Sequence, residues 1–142
     1  MMKGAYILNE FRPDAAKGNL SVTLVNPAIS LSQGYLVELI ITFILVITIF
    51  SCCDDRRKDL SGSFPLQIGL AVAIGGLFGG KFTGGSMNPA RSLGPAVVTG
   101  IWTHHWIYWL GPISGALVAA FLYQFVLTLK CQRKMVRRSP TP

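Results

Sequence analysis

Charge is scarce in this chain of 142 residues: 13% of it is Asp, Glu, Lys or Arg, and only 6 residues are acidic. So few charges do not solvate a globular surface, and with 51% of residues apolar the composition is that of a membrane protein. Histidine is limited to His104 and His105. They are adjacent, point to different helix faces and read as interfacial polar caps, so no metal site is expected. Three cysteines occur, Cys52, Cys53 and Cys131, without CxxC spacing. They read as reduced thiols near a cytosolic face. The chain has no Ser/His/Asp arrangement, no phosphate-binding loop and no metal-ligand spacing. No enzymatic activity and no cofactor are therefore expected. A signal peptide is also missing: the first dozen residues include Lys3, Asn9, Glu10 and Arg12 and lack a long apolar core.

The charge that is present is basic, with a net value of +7. It concentrates in Arg56-Arg57-Lys58 and in Lys130, Arg133, Lys134, Arg137 and Arg138. These clusters flank apolar runs, and the positive-inside pattern accounts for them. A nucleic-acid partner would need a continuous basic face, so none is expected.

The apolar residues form long runs. Spans are expected over about residues 35–53, 65–80 and 105–129, the first of them with the length for a bilayer crossing and a single charge, Glu38. Gly75 and Gly79, Gly76 and Gly80, and Gly111 and Gly115 are each four apart, a spacing that lets helices approach closely in lipid. Trp106, Tyr108 and Trp109 crowd the start of the last span, as an interfacial aromatic belt does. Before the first span, Ala5–Leu8 is a short apolar patch, and residues 9–34 read as a long loop. The loop after the first span and the tail carry the Lys/Arg excess, which places both on the cytoplasmic side. The domain reading is an exoplasmic loop over 1–33 that begins with the end of a preceding helix, a membrane repeat over 34–129, and a basic cytoplasmic tail over 130–142. An exoplasmic start without a signal peptide, and so long a loop, point to a missing N-terminal half.

Between the second and third spans lies Phe82-Thr83-Gly84-Gly85-Ser86-Met87-Asn88-Pro89-Ala90-Arg91-Ser92. It is too polar for a transmembrane helix. Pro89 suits a first helical position, because its missing N–H would be unpaired there anyway. Residues 89–98 then read as a re-entrant half-helix about 15 Å long, half a bilayer. Its N-terminus is expected to carry partial positive charge and unpaired N–H donors, repelling cations without an ionised side chain. The Asn88 amide offers two donors and an acceptor to a passing water or hydroxyl. Residues 83–87 are expected to run extended, lining a cavity, since irregular backbone survives at membrane depth only there or buried in protein. Arg91 adds a cation, which together with the helix dipole excludes protons and cations. Glu38 either snorkels outward or accepts backbone N–H bonds from residues 83–87; the second reading is preferred.

These residues resemble the C-terminal half of an aquaporin, a member of the major intrinsic protein family. The resemblance runs through Ser32-Gln33-Gly34, then Asp55 to Ser63, Thr83-Gly84 to Leu93, and His105-Trp106-Ile107-Tyr108-Trp109-Leu110-Gly111-Pro112, ending near Val126. It implies an all-α membrane protein: three transmembrane helices plus a re-entrant half-helix, one of the two inverted repeats of the aquaporin fold. It further implies a multi-pass plasma-membrane channel that assembles as a tetramer and passes water, with ions and protons excluded. In the pore, Asn88, Pro89 and Ala90 would form the central constriction and Arg91 the outer selectivity filter. Gly76, Gly85 and Ser86 would complete the pore-facing set, and Glu38 would brace the re-entrant backbone.

The chain departs from the family pattern in three ways. The N-terminal repeat is absent. A second Asn-Pro-Ala, Asn26-Pro27-Ala28, lacks the family context and is read as coincidence. Gly76 stands where strict water channels have histidine, and Gly85 replaces the cysteine of mercury-sensitive members. A glycine at position 76 widens the filter toward glycerol- and urea-sized solutes, whereas Ser92, Ala96, Tyr108 and Trp109 follow the water-channel pattern. The competing expectation is a truncated, non-conducting protein that associates with full-length channels.

Overall fold

The computed structural model describes residues 2–11, 21–54 and 62–127. The clusters at Arg56-Arg57-Lys58 and in the tail, and Cys131, lie outside the described residues. Five α-helices follow one another among those described: α1 (Met2–Phe11), α2 (Leu31–Cys52), α3 (Phe64–Gly79), α4 (Pro89–Thr99) and α5 (Ile107–Phe121), the last continuing as a π-helical turn over Leu122–Leu127. It is an all-α membrane fold, three membrane helices around a re-entrant half-helix, α4.

Two of the helices are long and apolar enough to cross a bilayer: Leu31–Cys52, with mean hydropathy 2.4, and Ile107–Val126, with 1.5. The helix Phe64–Gly79 is apolar but shorter, at 16 residues or about 24 Å. Their outer rows are exposed and apolar: Leu36, Ile40 and Ile44 on α2; Leu66, Leu70 and Ile74 on α3; Leu110, Ile113, Leu117 and Phe121 on α5. Rows at helical spacing with this much uncovered apolar surface need lipid or protein against them.

The loop preceding the first span is shorter at both ends than residues 9–34. Helix α1 extends to Phe11 and packs on α4. Helix α2 begins at Leu31 because Ser30 and Gln33 form a capping box: the Ser30 hydroxyl accepts from Gln33 N–H at 3.2 Å and Gln33 Oε1 accepts from Ser30 N–H at 2.8 Å. Helix α5 begins at Ile107, two residues after the expected start, since residues 103–106 form a turn that includes His104 at φ 50°.

Packing depends on the absence of side chains. A Cβ at Gly111 would lie 2.7 Å from the Glu38 Cβ, and one at Gly115 would run into the Leu39 carbonyl. Helix α5 therefore lies directly on the α2 backbone, and Tyr35 Oη donates to Ser114 Oγ across the same seam at 2.9 Å. On α3, Gly79 sits against Ile41 and Gly85, and Gly75 against Met87. Gly76 points elsewhere, with nothing within 4 Å of where its Cβ would be.

Candidate functional site

The site is built on the start of α4. Asn88 is the N-cap, in extended conformation, and its Oδ1 accepts from Ala90 N–H at 2.9 Å. This is what an N-cap asparagine does for an orphan donor. Pro89 has no N–H, and Arg91 N–H bonds the Asn88 carbonyl at 3.1 Å. The expectation of unpaired backbone donors is thereby corrected: the first turn uses its own. With Oδ1 engaged, the Asn88 amide nitrogen is the donor left facing outward; it has no partner among the described residues, and the residue is exposed. The helix dipole remains, half an elementary charge at most, behind a neutral two-proton donor. Helix α4 ends at Gly100, left-handed at φ 72°, after 11 residues or about 16 Å.

The backbone leading to Asn88 is not extended. Gly84, Gly85 and Met87 have φ of 83°, 60° and 54°. For Met87 that conformation is costly and must be held by its surroundings. What holds it is Glu38. Its side chain is fully buried; Oε1 accepts from the Thr83 hydroxyl at 2.6 Å and from Ser86 N–H at 2.8 Å, and Oε2 accepts from Met87 N–H at 2.9 Å. Three donors on one buried carboxylate satisfy the rule that a charge at this depth must be fully hydrogen-bonded. The Tyr108 hydroxyl donates to the Thr83 carbonyl at 2.9 Å, closing the same segment from α5.

Gly76 and Gly85 are brought together. A Cβ at Gly85 would stand 3.3 Å from the Gly76 Cα, and the φ of 60° is one that side chains rarely adopt, so a larger residue there is strained and crowded. Gly76 opens on the other side to free space. Arg91 is half-buried and has no carboxylate partner among the described residues; its Nη1 donates to the Ser21 carbonyl at 3.5 Å. Ala90 is exposed beside it and Pro89 partly so.

Ser86 does not belong to the outward-facing set in which the sequence placed it. Its side chain is 3% exposed and its hydroxyl donates inward, to the Asn88 carbonyl at 3.0 Å. It also contacts Ser92 Oγ at 2.6 Å, and Thr23 Oγ1 donates to Ser92 Oγ at 2.7 Å. The single Ser86 proton is committed to a carbonyl, so Ser92 must donate to Ser86. The row then runs one way, from Thr23 through Ser92 and Ser86 to Asn88. Thr23 and Ser92 were not among the predicted site residues: hydroxyl pairs separated by 69 residues leave no local signal.

Asn26-Pro27-Ala28 forms a turn, not a helix. Asn26 Oδ1 nonetheless accepts from Ala28 N–H at 2.9 Å, the same local bond that Asn88 makes to Ala90. The two cysteines described are free; Cys52 is buried, with its thiol 3.1 Å from Gln67 Oε1, and Cys53 is exposed.

A half-helix entered through irregular backbone, braced by a buried carboxylate and set among apolar helices, defines a multi-pass integral membrane protein with a re-entrant motif. The sequence profile described as "Major intrinsic protein" matches residues 1–123. The chain belongs to the major intrinsic protein family. It is 56% identical to aquaporin-4 of Bos taurus over 123 residues, which is 87% of this chain and 38% of that protein. It is 48% identical to aquaporin-2 of Bos taurus over 124 residues, covering 87% of this chain and 46% of that one. With the human lens fiber major intrinsic protein it shares 44% over 124 residues, 87% of this chain and 47% of the relative. The solved aquaglyceroporin of Plasmodium falciparum superimposes with a TM-score of 0.68 at 27% identity, covering 91% of this chain and 57% of the other. The chain thus spans less than half the length of the curated relatives it matches.

Proposed function

We propose that this chain supplies one half of a passive membrane channel for water whose filter is wide enough to admit neutral solutes of the size of urea or glycerol, with ions and protons excluded. Asn88, Pro89 and Ala90 present this half of the central constriction, Arg91 the cationic side of the outer filter, and Gly76 with Gly85 its open side. Ser86 and Glu38 act behind that surface, as supports. The complementary half-helix comes from a first repeat outside residues 1–142, within an assembly of four pores. The repeat over 34–129 lies in the plasma membrane, with residues 1–33 on the exoplasmic side and the basic tail in the cytoplasm. The channel needs no cofactor and performs no catalysis; water, small neutral solutes and lipid are its partners.

One observation carries the reading: the Asn88 amide is left outward, with open space beyond Gly76 nearby, while the Ser86 hydroxyl and the Ser86 and Met87 amides are turned inward onto protein acceptors. A neutral donor in front of a helix N-terminus orients water without binding a cation. Family membership and the aquaglyceroporin likeness support the solute class.

The test is osmotic swelling of proteoliposomes, with the chain alone and with a first repeat co-reconstituted. Swelling is expected when both halves are present. Its absence in both cases would replace this reading with that of a non-conducting partner of full-length channels.

A further inference from the structure

The segment from Ser21 to Asn26 has no helix or strand, yet it is tied to the motif at three places. At one end, Asn26 N–H donates to the Phe82 carbonyl at 2.7 Å and Asn26 Nδ2 donates to the Lys81 carbonyl at 3.0 Å. In the middle, Thr23 is buried, its hydroxyl donating to Ser92, and its Cα lies 3.2 Å from where a Gly84 Cβ would be. At the other end, the Ser21 carbonyl receives Arg91 Nη1 at 3.5 Å. Ser21 itself is left-handed at φ 57°, a conformation uncommon for a serine.

We propose that Thr23 and Asn26 are positioning residues for Arg91. They strap residues 21–26 across the motif and so hold the Ser21 carbonyl where it takes the guanidinium. Arg91 has no carboxylate partner among the described residues, so this one neutral carbonyl limits the swing of its side chain. The Asn-Pro-Ala at residue 26 has a use on this account: its asparagine caps its own turn with Oδ1 and spends Nδ2 and the backbone N–H on the motif. Where Arg91 stands sets the width of the filter, a consequence that rests on the channel reading above.

The direct test is the rate at which phenylglyoxal modifies each arginine of the full chain in detergent, resolved by mass spectrometry and normalised to the other arginines. Thr23→Val keeps the shape and removes the hydroxyl. Asn26→Asp keeps the acceptor for Ala28 N–H and removes the donor to Lys81. Each is expected to raise the Arg91 rate about fivefold, the population shift that follows loss of one net hydrogen bond. Thr23→Ser, which restores the hydroxyl, is expected to return the rate to that of the wild type. Unchanged Arg91 rates in both Thr23→Val and Asn26→Asp would overturn the proposal. If Thr23→Val exposes every arginine alike it has unfolded, and Asn26→Asp decides. In proteoliposomes holding the chain together with a first repeat, the urea-to-water permeability ratio should rise in the same two variants; a constant ratio alongside a raised Arg91 rate would overturn the link to filter width. Proteoliposomes that never swell would sink the channel reading, while the labelling still decides for or against the strap.

Discussion

Glu38→Gln is the most informative single perturbation of the motif. The carboxylate accepts three bonds, and glutamine offers one oxygen. Placed at Oε1, that oxygen keeps the Thr83 hydroxyl and Ser86 N–H, and the new NH2 then faces Met87 N–H, donor against donor. Placed at Oε2, it keeps Met87 N–H, and the NH2 faces Ser86 N–H. In that case Thr83 can turn its proton to the Gly79 carbonyl, already 3.3 Å away, and accept instead. Either way one backbone N–H loses its partner beside a side chain that has no solvent exposure. A stranded buried donor costs about 1–3 kcal/mol, and the remaining bonds lose the assistance of the charge, so the total is about 3 kcal/mol. That is roughly a hundredfold in the folding equilibrium. The assay is SDS-titrated unfolding of the purified chain, followed by tryptophan fluorescence, with hydrogen exchange at the Ser86 and Met87 amides as a local reading. One of those two amides should lose its protection. A loss of stability under about 0.5 kcal/mol, with both amides still protected, would refute the reasoning.

Gly76→His should fill the open space beside Gly85, cutting urea or glycerol uptake in swelling assays while sparing water; unchanged uptake would remove Gly76 from the filter. Gly115→Ala drives a methyl into the Leu39 carbonyl and should destabilise by about 1–3 kcal/mol, whereas Gly69→Ala, with nothing nearby, should be neutral or stabilising in the same unfolding titration. Burial of the His105 ring in the turn before α5 lowers its pKa below the usual 6.5, so the unfolded state binds protons more readily. Stability should therefore be full above that value and fall as the pH drops through it, and His105→Phe should flatten the pH dependence of the melting temperature. A membrane-impermeant maleimide should label Cys53 from the cytoplasmic face and leave Cys52 unmodified; labelling of Cys53 from the opposite face would invert the proposed orientation.

The parts of the fold legible in the sequence are those governed by local rules. Pro89 marks a helix start because it has no N–H to lose, and α4 begins there. The pair Gly111 and Gly115 marks a close contact, and α5 lies on α2 through it. The capping box at Ser30 and Gln33 was equally local and should have ended the loop at residue 30; its polar residues were absorbed into a stretch that reads as irregular. What could not be read is tertiary. Ser86 looks like a pore residue beside Asn88, but its hydroxyl donates to the Asn88 carbonyl and meets Ser92, which Thr23 reaches from 69 residues away. Asn26 looks incidental, and only the position of Lys81 and Phe82 gives its donors a target. Glu38 called for donors on general grounds; that they come from one hydroxyl and two amides of a left-handed turn depends on contacts 45 to 49 residues away.

The hydroxyl row from Thr23 through Ser92 and Ser86 has a consequence for proton traffic. Adjacent buried hydroxyls are the usual material of a relay, in which each oxygen takes a proton on one side and releases one on the other. This row ends on the Asn88 carbonyl, an amide oxygen with no proton of its own to hand on. A proton entering at Thr23 would have to be discharged there, and nothing beyond it can receive one. The row is therefore a dead end, a stack of aligned dipoles with a single stable sense. It ties the start of the half-helix to the segment around Thr23, and on the proposed channel reading any chain of protons would have to form in the water, past the outward Asn88 amide.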